Sequence, residues 1–307
     1  MESLTSAGFE ISPQQKSLWL LQQEGEKQKY RVTGSVLIEG YLDTIILEKA
    51  IQKAIQNNEI LRTGFEETLS LNVPIQVIHN RHDFCLNFHD LINFDTAKQK
   101  GKIEEIISQL NQIPFDLEQG VVFHATLIKL NQDKSILAIA ISTFCADAVS
   151  FYNLIQEISE IYQNYLETKE INNEPLQYAD LAAWQNELLA ASEAEVGKQY
   201  WQNKTLSHFV INKLPREKQV NAQLEFIPQV INFNITPELV NQLELLAEQY
   251  NTSLVTLLMA CWQILLWRLT EQQEIAVATC FDNRNYAELK PVIGLLAKYI
   301  PDRKSVV

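Results

Sequence analysis

Every position from Ile136 to Ile141 is apolar and isoleucine recurs, the pattern of a strand buried on both faces. From Phe151 the period changes. Phe151, Leu154, Ile155, Ile158, Tyr162 and Tyr165 recur at helical spacing and share one face. Between strand and helix stands the short crossing Ser142-Thr143-Phe144-Cys145-Ala146-Asp147-Ala148. Polar residues at the end of a buried strand are where α/β proteins commonly build sites.

Upstream, Ser12 is placed to cap a helix whose first turn holds Pro13 and whose apolar side is Leu18, Trp19 and Leu21. Arg31 to Glu39 alternates as a strand and ends at Gly40. Asp43 caps a helix with Leu47, Ala50, Ile51, Ala54 and Ile55 on one face, and Thr63 and Phe65 begin an extended segment. Residues 75 to 90 read as strand through Ile75, Val77, Phe84, Leu86 and Phe88. A polar helix follows from Asn93 to Gln112, then a turn-rich connector from Ile113 to Gly120. The strand Val121 to Leu130 and the loop 131–134 lead back into the apolar strand as a hairpin. These elements predict an α/β fold with a mixed sheet covered by helices.

Thr168 to Pro175 is polar and marks a boundary, so residues 1–174 and 175–307 are expected to form two lobes. Beyond it, Tyr178 to Trp184 opens a helix that reaches Tyr200-Trp201 with a break, and 204–230 is a weakly patterned connector. Thr236-Pro237-Glu238 starts a helix with Leu239, Val240, Leu243, Leu246 and Tyr250 as its expected buried face. Thr252 or Ser253 caps the next helix, Leu254 to Leu269. It holds Gln263 and Arg268 and falls short of the ~20 residues of a membrane span, so it is expected to be a buried helix. Ile275 to Thr279 is a strand leading to Asp282-Asn283-Arg284-Asn285 and a last apolar segment, Pro291 to Ile300.

Composition narrows the function. At 307 residues and 46% apolar content each lobe can build a core. A formal net charge of -13 with no basic cluster argues against nucleic acid or an anionic membrane as partner. Cys85, Cys145, Cys261 and Cys280 lack the short spacing of metal or redox motifs and read as reduced thiols. The N-terminus MESLTSAGFE has no basic segment followed by an apolar core, so no signal peptide is expected and a cytoplasmic location is. His79 and His82 have an HxxH spacing, but on a strand that spacing sends them to opposite faces, which disfavours a metal pair.

Several separated segments carry a resemblance in order: Ser12-Pro13-Gln14-Gln15 with Leu18-Trp19, Glu59 through Phe65, Pro114-Phe115-Asp116-Leu117 with Gly120, Tyr178 through Trp184, Tyr200-Trp201, and Asn283-Arg284 with Ile293-Gly294. On these the chain resembles the condensation domains of nonribosomal peptide synthetases, which have the chloramphenicol-acetyltransferase-like fold. The resemblance implies an N-terminal lobe (1–174) carrying the active-site loop and a second lobe of similar type (175–307), incomplete because family members run more than a hundred residues further. It also implies amide formation between thioesters on peptidyl or acyl carrier proteins, an adenylation domain as a further partner, and no cofactor in the chain, phosphopantetheine arriving on the carriers. A non-catalytic scaffold that holds carrier and adenylation domains is the alternative.

The family's HHxxxDG pattern falls on residues 142 to 148, which read Ser-Thr-Phe-Cys-Ala-Asp-Ala, so only Asp147 matches. Ser142 and Thr143 stand where the resemblance places two histidines, and Thr143 takes the place of the one that positions or deprotonates the attacking amine. A threonine hydroxyl can hydrogen-bond but cannot take up a proton near neutral pH, so reduced or absent catalysis is expected. The resemblance further implies that Asp147 pairs with Arg62, a structural role ranked above acid-base work, and Asp147 also suits the cap of the helix starting near Ala148. Cys145 has no histidine near it in sequence and a carboxylate two residues away, which disfavours a nucleophile. Ser142, Asp147 and Ser150 are also similar to the DxxxxDxxS pattern of heterocyclisation domains with its first acid missing, although Ser150 is equally explained as a helix cap.

Overall fold

The computed structural model describes residues 8–23, 30–67, 73–80, 84–169, 175–203, 214–215, 233–272 and 274–305. By contacts the chain divides into Met1–Ala194 with Asp282–Lys298, and Glu195–Phe281 with Tyr299–Val307.

The first unit is built on a four-stranded mixed sheet in which the apolar run is central. The strand β7 (Lys134–Ser142) pairs antiparallel with β2 (Arg31–Glu39) on one side and β6 (Phe123–Lys129) on the other. A fourth strand, β5 (Asn87–Asp90), adds in parallel to β6. Ile139, Ala140 and Ile141 are fully buried, as an uninterrupted apolar strand requires. Alternation then assigns the faces. Ile139 and Ile141 enter the main core with α2 (Thr44–Asn57) and α4 (Ala148–Leu166), whereas Ala138 and Ala140 meet Leu110 at the end of α3 (Thr96–Leu110). Asp43 caps α2 through the amides of Ile45 and Ile46 at 2.9 and 3.0 Å, and Asp95 caps α3 through Lys98 at 2.9 Å.

The stretch 75 to 90 is not one strand. Its beginning, β4 (Ile75–Ile78), lies between β1 (Gly8–Glu10) and β3 (Thr63–Glu66) in a separate three-stranded antiparallel sheet, and only β5 joins the large one. His79 directly follows β4, and its ring lies against the left-handed Gly120, where an added Cβ would come within 2.7 Å of it. His82 lies outside the described residues, and among those described no cluster of three metal-binding side chains occurs.

The helix α1 (Pro13–Gln23) begins with reciprocal bonds: Ser12 Oγ accepts the Gln15 amide at 3.1 Å while Gln15 Oε1 accepts the Ser12 amide at 2.9 Å. Past the expected boundary at Thr168–Pro175, α5 (Tyr178–Ala190) belongs with the first unit. Gln177 holds it there, accepting from the Glu59 amide at 3.0 Å and donating to Asn57 O at 2.9 Å, and Tyr178 and Leu181 enter the main core. Tyr178 lies so close to Gly294 that a Cβ there would be 2.0 Å from its ring.

In the second unit, α6 (Glu195–Asn203) precedes α7 (Pro237–Gln249) and α8 (Leu254–Thr270), and β8 (Glu274–Phe281) pairs with β9 (Lys298–Ser305). The connector 204–230 lies almost wholly outside the described residues. Thr236 and Ser253 cap α7 and α8 as expected. Two expectations fail here. The apolar α8 buries only Gln263 and Leu266, leaving Val255, Trp262, Ile264 and Leu265 exposed. On α7 only Ala247 is buried, while Leu239, Leu246 and Tyr250 are exposed. A helix apolar on all sides needs neighbours on all sides, and the described elements of this unit cover one side. No single helix among the described residues is long and apolar enough to cross a membrane.

Gly294→Ala is expected to lower stability by about 1–3 kcal/mol, because its methyl must displace a buried ring. A urea midpoint equal to wild type would show that the Tyr178–Gly294 contact tolerates the extra carbon.

Candidate functional site

The loop between β7 and α4 is held from both ends. At its start the Thr143 amide donates to Tyr30 O at 3.2 Å and the Cys145 amide to Ser142 O at 2.8 Å. Ser142 is buried, and its Oγ accepts the Phe144 amide at 3.3 Å, so this hydroxyl belongs to the frame of the loop. Gln15 Nε2 donates to Phe144 O at 2.8 Å, and the Phe144 ring packs on Phe65 and Trp19 at 5.1 and 6.1 Å between centroids. Cys145 is fully buried, and burial pushes its thiol well above the usual range, the opposite of what a nucleophile needs.

At its end the loop becomes α4 through Asp147. The Asp147 Oδ1 accepts the Ser150 amide at 2.8 Å, and Ser150 Oγ in turn accepts the Asp147 amide at 3.3 Å, a capping box with serine in the third position. The carboxylate also forms an end-on pair with Arg284, Nη1 to Oδ2 at 2.8 Å and Nη2 to Oδ1 at 2.9 Å. The amides of Leu296 and Ala297 add bonds to Oδ2 at 3.1 and 2.9 Å. Burial works to raise the Asp147 pKa, but the Arg284 guanidinium and the Ser150 bonds outweigh it and hold the carboxyl below its ordinary 3.8.

Asp147 therefore pairs with Arg284 and not with Arg62. Arg62 ends the turn Glu59–Arg62 that runs into β3, and β3 pairs with β4, so its guanidinium reaches the residue after β4. It donates to His79 O at 2.6 Å and meets Glu59 at 3.5 Å. Arg284 comes from the segment that returns to the first unit and is itself buried.

The network continues outward from Asp147. Ser150 Oγ lies 2.8 Å from Gly294 O and accepts from the Gly294 amide at 3.0 Å. Tyr178 donates its hydroxyl proton to Leu295 O at 2.7 Å and lies 2.7 Å from Ser12 Oγ. Arg284, Ser150 and Tyr178 all stood in the sequence; what sequence alone could not give is that the first two meet on one carboxylate and that Tyr178 bonds the neighbouring Leu295 O.

Thr143 alone is left over. It is half-buried, and among the described residues its hydroxyl has no hydrogen-bond partner. Among the described residues the loop thus presents one free hydroxyl beside a carboxylate bonded at both oxygens.

The Condensation domain model matches residues 7–305. The chain belongs to the condensation-domain family. Gramicidin S synthase 2 of Brevibacillus brevis is 30% identical to it over 289 residues, which is 94% of this chain and 6% of that protein. Chondramide synthase of Chondromyces crocatus is 29% identical over 293 residues, 94% of this chain and 7% of that one. The chain thus spans less than a tenth of either relative. Among solved structures, the first condensation domain of the calcium-dependent antibiotic synthetase, in complex with a substrate analogue, is similar with a TM-score of 0.83 and 18% identity, over 98% of this chain and 70% of that one. The condensation domain of the monacolin K polyketide synthase gives 0.80 and 20%, over 97% and 67%. These likenesses show the fold, that of the chloramphenicol-acetyltransferase-like condensation domains.

Arg284→Ala is expected to cost about 3–5 kcal/mol, since it strands a buried carboxylate, and Arg62→Ala far less. Urea unfolding of both variants checks the order; an equal loss would overturn the assignment of Arg284 as the partner. Because the folded pKa of Asp147 is depressed, the stability it contributes is present above its unfolded value of about 3.9 and is lost as pH falls through the folded value. The stability difference between wild type and Asp147→Asn should therefore shrink below about pH 4, and a constant difference down to acid unfolding would contradict it.

Proposed function

We propose that this chain serves as a condensation-type module of a nonribosomal peptide synthetase, receiving acyl or aminoacyl thioesters on phosphopantetheinyl carrier proteins, with an adenylation domain as neighbour. Amide formation at its loop is strongly slowed. The observation that carries this reading is the contrast within the loop: both oxygens of Asp147 are bonded, while Thr143, at the position the resemblance gives to the working histidine, offers only a hydroxyl without a partner among the described residues.

Magnitudes decide what such a loop retains. General-base help contributes roughly 10²–10⁴ in rate, and a threonine hydroxyl supplies none of it near neutral pH. Holding two reactants in line contributes about 7–11 kcal/mol, a larger effect that does not depend on a base. A module of this kind brings its thioesters together and leaves proton removal from the amine to solvent.

The test uses the chain with two carrier proteins loaded with different aminoacyl thioesters, product being followed by mass spectrometry of the carriers. Thr143→His is expected to raise the rate by about 10²–10⁴. A wild-type rate equal to that of the variant would sink the reading of Thr143 as the limiting residue. Binding of both carriers with no product from either protein would favour a scaffold that only holds carrier and adenylation domains.

A further inference from the structure

The loop between β7 and α4 leans on a side chain whose identity the helix cap alone does not explain. Gln15, in the first turn of α1, is fully buried and uses both ends of its amide. Its Oε1 accepts the Ser12 amide at 2.9 Å, while its Nε2 donates to Phe144 O at 2.8 Å and reaches Gln76 Oε1 at 3.5 Å. Gln76, also fully buried, lies in β4 and donates through its own Nε2 to Glu10 O at 2.8 Å. Two amides in series therefore link β1, β4 and the first turn of α1 to the carbonyl of the residue that follows Thr143. Among the described residues no other group donates to that carbonyl.

These neighbours fix the orientation of the Gln15 amide. Turned over, it would set its NH2 against the Ser12 N–H and its oxygen against Phe144 O, so two bonds would become two repulsions. They also account for the residue type. The third position of a capping box takes Glu or Gln, and an acid there meets the positive end of the helix dipole as well. By the cap alone, glutamate suits the position better. A carboxylate, however, would face two acceptors, Phe144 O and Gln76 Oε1, with no proton for either. A donor is what the loop requires of this position.

We propose that Gln15 is a positioning residue for the loop, and that the proton it gives to Phe144 O sets the direction in which Thr143 presents its hydroxyl. The backbone around Thr143 is otherwise held by the Thr143 amide on Tyr30 O at 3.2 Å and the Phe144 amide on Ser142 Oγ at 3.3 Å. The 2.8 Å bond from Gln15 is shorter than either. That this direction matters to a reaction rests on the proposed condensation role of the loop.

Methyl NMR on the chain with isotope-labelled threonine tests this, the Thr143 signal being the one absent from Thr143→Ser. Gln15→Met keeps the bulk of the side chain and removes the donor, so its Thr143 signal should leave the wild-type position. Gln15→Glu keeps an acceptor for Ser12 and can donate to Phe144 O only while protonated. Its Thr143 signal should be displaced at about pH 9 and return to the wild-type position as pH falls through the carboxyl pKa, which burial lifts above the usual ~4.3. A residue that only supports the fold would lower the melting temperature and leave this signal in place. A Thr143 signal at the wild-type position in Gln15→Met, or in Gln15→Glu at about pH 9, would overturn the assignment. With Thr143→His as parent and two loaded carriers, Gln15→Met should lower kcat roughly 10- to 100-fold at an unchanged KM, and an unchanged kcat would also overturn it. No product from the parent would count against the condensation role, while the threonine signal still decides the role of Gln15.

Discussion

A carboxylate buried beside a guanidinium is the constraint on which the first unit depends. Taking both ions out of water costs several kcal/mol each, and their attraction offsets this only when the remaining lone pairs and protons are also bonded. Asp147 meets that condition: Ser150, Arg284, Leu296 and Ala297 together donate to both of its oxygens. Arg284 uses its two terminal nitrogens further on Asp282 O, Ser150 Oγ and Val292 O. Such a pair adds little net stability over a hydrophobic replacement, the more so as the buried Arg284 Nε finds no hydrogen-bond partner among the described residues. Its effect is positional: the shared bonds tie the start of α4 to the segments around Arg284, Val292 and Leu296.

That positional effect spreads through the bonds the pair shares. Ser150 joins the cap of α4 to Gly294, and the bare α-carbon of Gly294 lets Tyr178 of α5 approach. Tyr178 reaches Leu295 O and Ser12, and Ser12 shares its capping bonds with Gln15, whose amide closes on Phe144 O in the loop itself. Segments distant in sequence therefore form one ring of contacts around the crossing from β7 to α4. Burial pushes the Tyr178 hydroxyl pKa upward, so this member remains a neutral donor wherever the fold is stable.

The parts legible in the sequence were those set by local rules. The apolar run gave a central strand, the change of period gave α4, and Asp43, Asp147, Thr236 and Ser253 cap the helices they precede. The partner of Asp147 was not legible, because Arg62 and Arg284 both stand in family-like segments and the choice rests on contacts 137 residues apart. Nor was the division of 75–90 between two sheets, since alternation sets which face a residue takes and not which sheet it joins. The exposure of α8 lay beyond reach for a related reason: hydrophobicity records what a helix can be covered by, and says nothing of what is there. At the loop, the pattern showed which residues were candidates, but not that Ser142 turns inward while Thr143 does not.

This difference between neighbouring hydroxyls separates a member of the loop's frame from a residue that the frame only presents. At Ser142, Asp147 and Ser150 the side-chain oxygen is itself a member of the frame, and exchanging it alters the shape of the loop. Among the described residues Thr143 is held through its backbone, by the amide bond to Tyr30 O. Its side chain can therefore change without disturbing Asp147, Arg284 or the fold they organise.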